Sequence, residues 1–281
     1  MAASKLAKLT FHVAEEAGPH SLLPILETLA ALPPPGPADS ADLYAAVQER
    51  YDLAPRSEPL TLAADLGLLT RTPGYAITPR GLAVVRARPP RQADLLHYLL
   101  YTAWDAADPA TLSDLWSYRM VCDDLWARQE VDLGTISKSL VEEVIMQSQA
   151  VFAGVAGYNP NVVSFSGKSV RGVRKWLAAL SPPVLSDSRF TRRSTCSDKL
   201  LMLALGYMHH AAGAEPGVDL LLTPEHRAVV CRVALLDPAY LDRLLDWVIP
   251  IYPQFLQAGT RTGSYGRFIR LQAVPTVEDL A

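Results

Sequence analysis

Apolar residues recur at helical spacing along most of the chain, and prolines interrupt the pattern at definite places. Ser21 to Ala31 sets Leu22, Leu23, Ile25, Leu26 and Leu29 on one side, which predicts a short helix. The run Leu32-Pro33-Pro34-Pro35-Gly36-Pro37 ends it, because proline has no amide donor and clashes with the preceding turn. Ser40 then caps a helix carrying Leu43, Tyr44, Val47 and Tyr51, and Leu60 to Leu69 follows with Leu62, Leu66 and Leu69 on one face. Further helices are predicted over Ala93–Trp104, from Thr111 or Ser113 through Trp126, over Ile136–Val155 and over Ser169–Leu180. Thr223-Pro224-Glu225 and Asp237-Pro238 are cap-and-proline starts of two more, over 224–234 and 237–248. Strand patterns are few: Tyr75-Ala76-Ile77, Val162 to Phe165, Val218 to Leu222 and Phe268 to Leu271. Further breaks fall at Pro89-Pro90, Gly157-Tyr158-Asn159-Pro160-Asn161 and Ser181-Pro182-Pro183, and no internal repeat stands out. The expectation is a mainly α chain with small β hairpins.

Composition narrows the class. The 281 residues carry a net charge of −3 and are 49% hydrophobic and 20% charged, as in ordinary globular proteins. Cys122, Cys196 and Cys231 are odd in number and widely spaced, without a CxxC pair, which argues against a disulfide framework or a zinc ribbon. No apolar run approaches the ~20 residues needed to cross a bilayer, and the amino end lacks a signal peptide's apolar region. No membrane association and a reduced, cytoplasmic setting are the expectations.

Residues 41–87 hold the most readable local pattern. Leu66-Gly67-Leu68-Leu69, a short turn, and Tyr75-Ala76-Ile77-Thr78-Pro79-Arg80-Gly81 read as a helix end, a small hairpin and a helix capped by Thr78. This stretch resembles the end of the recognition helix plus the wing in winged-helix DNA-binding domains, with Ile77 where leucine is usual. The resemblance implies a winged-helix-like region, taken at 1–88, while the breaks and the charge divide the rest into an acidic helical middle region at 89–158 and a basic helical region at 159–281 with a terminal hairpin. It also implies DNA contact. The second helix of the pattern, however, carries Asp65 and no base after Arg56, so only Arg71 and Arg80 on the wing supply cations. A winged helix that packs against protein is the other reading.

Charge is unevenly spread. Residues 167–199 carry Lys168, Arg171, Arg174, Lys175, Arg189, Arg192, Arg193 and Lys199 against Asp187 and Asp198, a net of +6. In a helix over 169–180, Arg171, Arg174 and Lys175 share one face while Val173, Trp176, Leu177 and Leu180 occupy another. Arg192-Arg193 falls in a Ser/Thr-rich loop suited to phosphate. Near the end, Arg261, Arg267 and Arg270 alternate with Tyr265 and Phe268 around two glycines, as in a second wing. Residues 108–143, with a net of −5, have the opposite sign and read as a solvated face.

Catalytic patterns are missing. The six histidines give no HxxxH or HExxH, and Gly167-Lys168-Ser169 lacks the upstream glycine of a phosphate loop, Val162 standing in its place. No GxSxG occurs, and the two nucleophile-x-x-lysine spacings, at Thr135–Lys138 and Cys196–Lys199, read as helix starts. The expectation is therefore a non-enzymatic, cofactor-free and metal-free protein that binds nucleic acid, double-stranded DNA ahead of RNA, through phosphate contacts. The alternative is an interaction or scaffold subunit of a multiprotein complex, for which a prokaryotic regulatory or anti-phage defence assembly is one setting.

Overall fold

A computed structural model describes residues 9–280 apart from 34, 35, 38, 73, 90 and 262–265, with the backbone alone for residue 261. The chain is mainly helical with small antiparallel sheets. Its first part contains α1 (Pro19–Ala31), α2 (Ser40–Tyr51), α3 (Ser57–Asp65), the hairpin β1 (Leu69–Thr70) and β2 (Ala76–Ile77), and α4 (Pro79–Arg86). Here the local rules held. Thr78 caps α4, accepting from the Gly81 amide at 3.1 Å, and Pro79 takes the first helical position. Two details differ from expectation. Asp39 rather than Ser40 caps α2. The helix expected over 60–69 ends at Asp65, since Gly67 turns left-handed (φ +67°) and Leu69 opens the hairpin.

After α5 (Arg91–Thr102) come α6 (Ser113–Arg128), β3 (Glu130–Asp132), α7 (Leu133–Phe152), α8 (Gly167–Ala178), β4 (Leu185–Ser186) and β5 (Arg189–Thr191). The last part is α9 (Asp198–Ala211), β6 (Asp219–Leu221), α10 (Pro224–Ala234), α11 (Leu241–Val248), β7 (Leu256–Arg261) and β8 (Gly266–Leu271). Both parts run helix, strand, helix, helix, hairpin. In both sheets the last strand is central, giving orders β3-β5-β4 and β6-β8-β7. The first part is a shorter version of the same plan. α1 to α3 precede its hairpin, and the Pro37 carbonyl accepts from the Tyr75 amide at 3.0 Å, where the other units place their first strand.

The repeat joins segments that looked separate in sequence. Residues 130–132 pair with 189–191, Val131 opposite Phe190, across the break expected near 158. Residues 162–165 form no strand; a single 3-10 turn occupies Pro160–Val162. Strands of two or three residues such as β3, β4 and β5 are too short to show alternation. The helix α9 showed no stripe because every residue from Asp198 to Gly206 is buried.

The helix α5 packs against α4, α6, α8, α9 and α10, and it carries the buried polar groups that fix those contacts. Asp94 binds the Arg193 guanidinium at 2.8 Å, with both side chains about 1% exposed, and accepts from the Ser197 amide at 2.9 Å. Arg193 also donates to the Ala234 carbonyl at 2.7 Å, and its backbone pairs with that of residues 235–237. One turn along α5, His97 Nε2 lies 2.8 Å from the Val233 carbonyl and Nδ1 lies 2.7 Å from the Tyr118 hydroxyl. A carbonyl only accepts, so Nε2 carries the proton and Nδ1 accepts from Tyr118. Burial, with the Arg193 charge nearby, lowers the His97 pKa to about 4.

Two outcomes follow. Arg193→Ala strands a buried carboxylate and lowers stability to urea by about 3–5 kcal/mol, while Asp94→Leu with Arg193→Met restores part of the loss. A loss below about 1 kcal/mol would show that the pair is solvated. The unfolded chain protonates His97 near 6.5 and the folded chain only near 4, so this residue's contribution is full above 6.5 and is lost as pH falls through that window. The stability gap between wild type and His97→Asn should narrow by about 1.4 kcal/mol per pH unit there. A pH-independent gap would contradict it.

Candidate nucleic-acid interface

The amphipathic pattern of 169–180 is realised in α8. Val170, Val173, Trp176 and Leu177 are buried, and Lys168, Arg171, Arg174 and Lys175 are exposed together. Ser166 starts the helix through a capping box with Ser169, which directs the first turn and Lys168 outward. The turn of the β4–β5 hairpin lies alongside: Arg174 donates to the Asp187 carbonyl at 2.6 Å, and Arg189 stands exposed on β5. Lys168, Arg171, Arg174 and Lys175 of the sequence set therefore share one helix face, and Arg189 stands exposed on the neighbouring hairpin.

A segment of residues 9–17, irregular to Ala14 and closing in a 3-10 turn at Glu15–Ala17, crosses this unit. Leu9, Phe11 and Val13 alternate inward, and Phe11 meets Phe152 and Trp116 edge-on at 4.9 and 5.9 Å between ring centroids. Its backbone lies directly on α8, where a Cβ at Gly172 would stand 2.4 Å from the Val13 carbonyl oxygen. The same segment brings Glu15 to Arg171 at 3.0 Å and to Lys175 at 3.4 Å, and both cations hold its carboxyl below the usual range. Glu130 similarly pairs with Arg189. Such exposed pairs are weak and salt-screened. Sequence reasoning missed Glu15, because nothing local marks an acid whose partners lie some 156 residues away.

Among the described residues, the remaining cations of the sequence set do not join this surface. Arg193 and Lys199 are buried, which corrects their assignment as phosphate contacts: Arg193 belongs to the Asp94 pair, and burial with nearby Arg91 lowers the Lys199 pKa. Arg192 turns inward as well, stacking 4.1 Å over Trp126 and donating to its carbonyl at 2.7 Å. Arg71 donates to the Leu60 carbonyl at 3.3 Å, and Arg80 binds Glu278 at 3.1 Å and the Leu66 carbonyl at 3.4 Å. Arg267 is held by Asp246 at 2.8 Å and Asp242 at 3.6 Å, and Arg270 by Asp219 at 2.8 Å. The Arg261 side chain and Tyr265 lie outside the described residues.

The corresponding third helices of the other units present different faces. α3 exposes Ser57, Glu58, Thr61 and Asp65, while α11 exposes Asp242, Arg243, Asp246 and Trp247. Among the described residues no three His, Cys, Asp or Glu side chains converge on a possible metal position, and no helix is long and apolar enough to cross a membrane. The three cysteines are buried thiols whose pKa values burial raises.

The inward and outward cations should separate experimentally. Arg192→Ala forfeits a carbonyl bond and a ring contact and lowers urea stability by about 1–2 kcal/mol. Lys168→Ala should change it by less than about 0.5 kcal/mol, and equal losses would contradict this sorting. No protein-family model matches the chain, and neither a curated protein nor a solved structure matches it.

Proposed function

We propose that this protein binds nucleic acid without catalysing a reaction, duplex DNA in the first instance. In this reading it is an array of winged-helix-type units in which α8 and the β4–β5 hairpin of the middle unit face the phosphates. The order helix, strand, helix, helix, hairpin is the winged-helix order, and it extends the resemblance seen at 41–87 to the rest of the chain. The observation that carries the reading is the exposed face of α8. The third helix is the one that enters a groove in such domains, and this third helix presents Lys168, Arg171, Arg174 and Lys175 together. The acidic face of α3 would repel a phosphate backbone and the mixed face of α11, where Asp242 and Asp246 are already paired with arginines, offers it little, so contact is confined to the middle unit. Because the side chains are flexible cations, affinity is electrostatic and sequence preference weak.

A second reading, an interaction subunit of a multiprotein complex, draws on the third unit. Tyr240, Trp247 and Ile251 are large apolar side chains left exposed on and beside α11. Aromatic residues of this kind are enriched at the centres of protein interfaces. The two readings are compatible, since they use different units.

Fluorescence anisotropy with a labelled duplex and a labelled single strand, across a salt series, tests the first reading. With five phosphate contacts the log–log slope on duplex is about −4 to −5. Arg171→Ala with Arg174→Ala should flatten it by about 2, while Arg267→Ala, whose cation is already held by acids, leaves it unchanged. Absence of binding at low salt would overturn the proposal.

A further inference from the structure

Glu15 reaches α8 from a backbone that is fixed on both sides of it. Before it, the Phe11 amide donates to Ser164 Oγ at 2.9 Å, and His12 Nδ1 lies 2.8 Å from Ser169 Oγ in the first turn of α8. Phe11 and Val13 are buried there. After it, the 3-10 turn closes with the Ala17 amide on the Ala14 carbonyl at 3.2 Å, and Ala17 is buried in turn. A carboxylate carried on so fixed a backbone loses little further freedom on meeting a cation.

The two carboxylate oxygens divide the work. Oε2 takes Arg171 at 3.0 Å and Oε1 takes Lys175 at 3.4 Å, one turn further along the helix. Two neighbouring cations bridged by two oxygens of one anion is also how a phosphate group is held. Lys168 and Arg174 differ, since among the described residues neither forms an ion pair, and Arg174 donates to the neutral Asp187 carbonyl. Glu16, next along the chain, pairs with Arg56 at 3.3 Å instead of with α8.

We infer that Glu15 is a built-in competitor for the phosphates of a duplex, occupying Arg171 and Lys175 in the free protein and releasing them when the duplex docks. The inference rests on the nucleic-acid reading of α8 and adds the regulation of that same surface. Lys168 and Arg174 are open from the start and take the first phosphates. The adjoining phosphates are then at high effective concentration beside Arg171 and Lys175, and they replace a carboxylate whose exposed pairs are weak. The acid thereby lowers the affinity of the whole face without closing it.

The test is fluorescence anisotropy of the full chain with the labelled duplex across a salt series, comparing wild type with Glu15→Gln and Glu16→Gln. Both substitutions keep the side-chain shape and remove one negative charge from adjacent, partly exposed positions. Glu15→Gln should bind about three- to ten-fold more tightly at low salt, with the gap closing as salt screens the pairs that wild type has to break. Glu16→Gln, whose charge lies on Arg56, should stay within about two-fold of wild type. Equal or weaker binding by Glu15→Gln, with wild type still binding, overturns the inference and leaves the nucleic-acid reading standing. An equal gain from Glu16→Gln also overturns it, because net charge alone would then account for the effect. If neither wild type nor Glu15→Gln binds at low salt, the nucleic-acid reading fails and the inference fails with it.

Discussion

The buried pair between Asp94 and Arg193 constrains how the parts of this chain meet. Taking both charges out of water costs several kcal/mol per ion, and the arrangement holds because neither is left to the other alone. Asp94 also accepts from the Ser197 amide at the start of α9, and Arg193 also reaches the Ala234 carbonyl at the end of α10. The link between the middle and third units is thereby tied to α5, which itself follows the first unit. His97, one turn on, repeats the device with a neutral ring, joining α5 to Tyr118 of α6 and to Val233 of α10. Hydrophobic contact alone tolerates sliding. A set of directional bonds in a dry interior does not.

With the units fixed, their surfaces are free to differ. The same third position of the repeat is acidic in α3, basic in α8, and mixed with an exposed tryptophan in α11. Repetition of a topology thus supplies three scaffolds, and the side chains on each third helix decide what that scaffold meets. On the proposed reading one meets phosphate and another meets protein. Glu15 ties the surface of α8 to the amino-terminal segment, so the basic face is partly neutralised within the chain itself.

How much of this the sequence disclosed follows from the range of the interactions involved. The cap at Thr78 and the two faces of α8 are set within a few residues, and both were legible. The repeat was not, because its sheets rest on pairings such as Val131 with Phe190 and Leu220 with Ile269. Strands that short carry no periodic pattern of their own. Charge counting over 167–199 found the basic face but could not separate Arg171 from Arg193. Both are arginines in one positive stretch, and only the distant Asp94 draws the second inside. For the same reason the terminal Arg267 and Arg270 looked available, although acids on α11 and β6 hold them.

Hydrogen–deuterium exchange of the full chain, with and without a saturating DNA duplex at low salt, reads the claimed surface directly. Exchange reports which backbone amides become protected when a partner covers them. The account predicts added protection at 166–178 and at the hairpin turn around 186–189, with the segment carrying Glu15 altered beside them. Protection centred on α3 or α11, or none beside α8 under conditions where the duplex is bound, would contradict it.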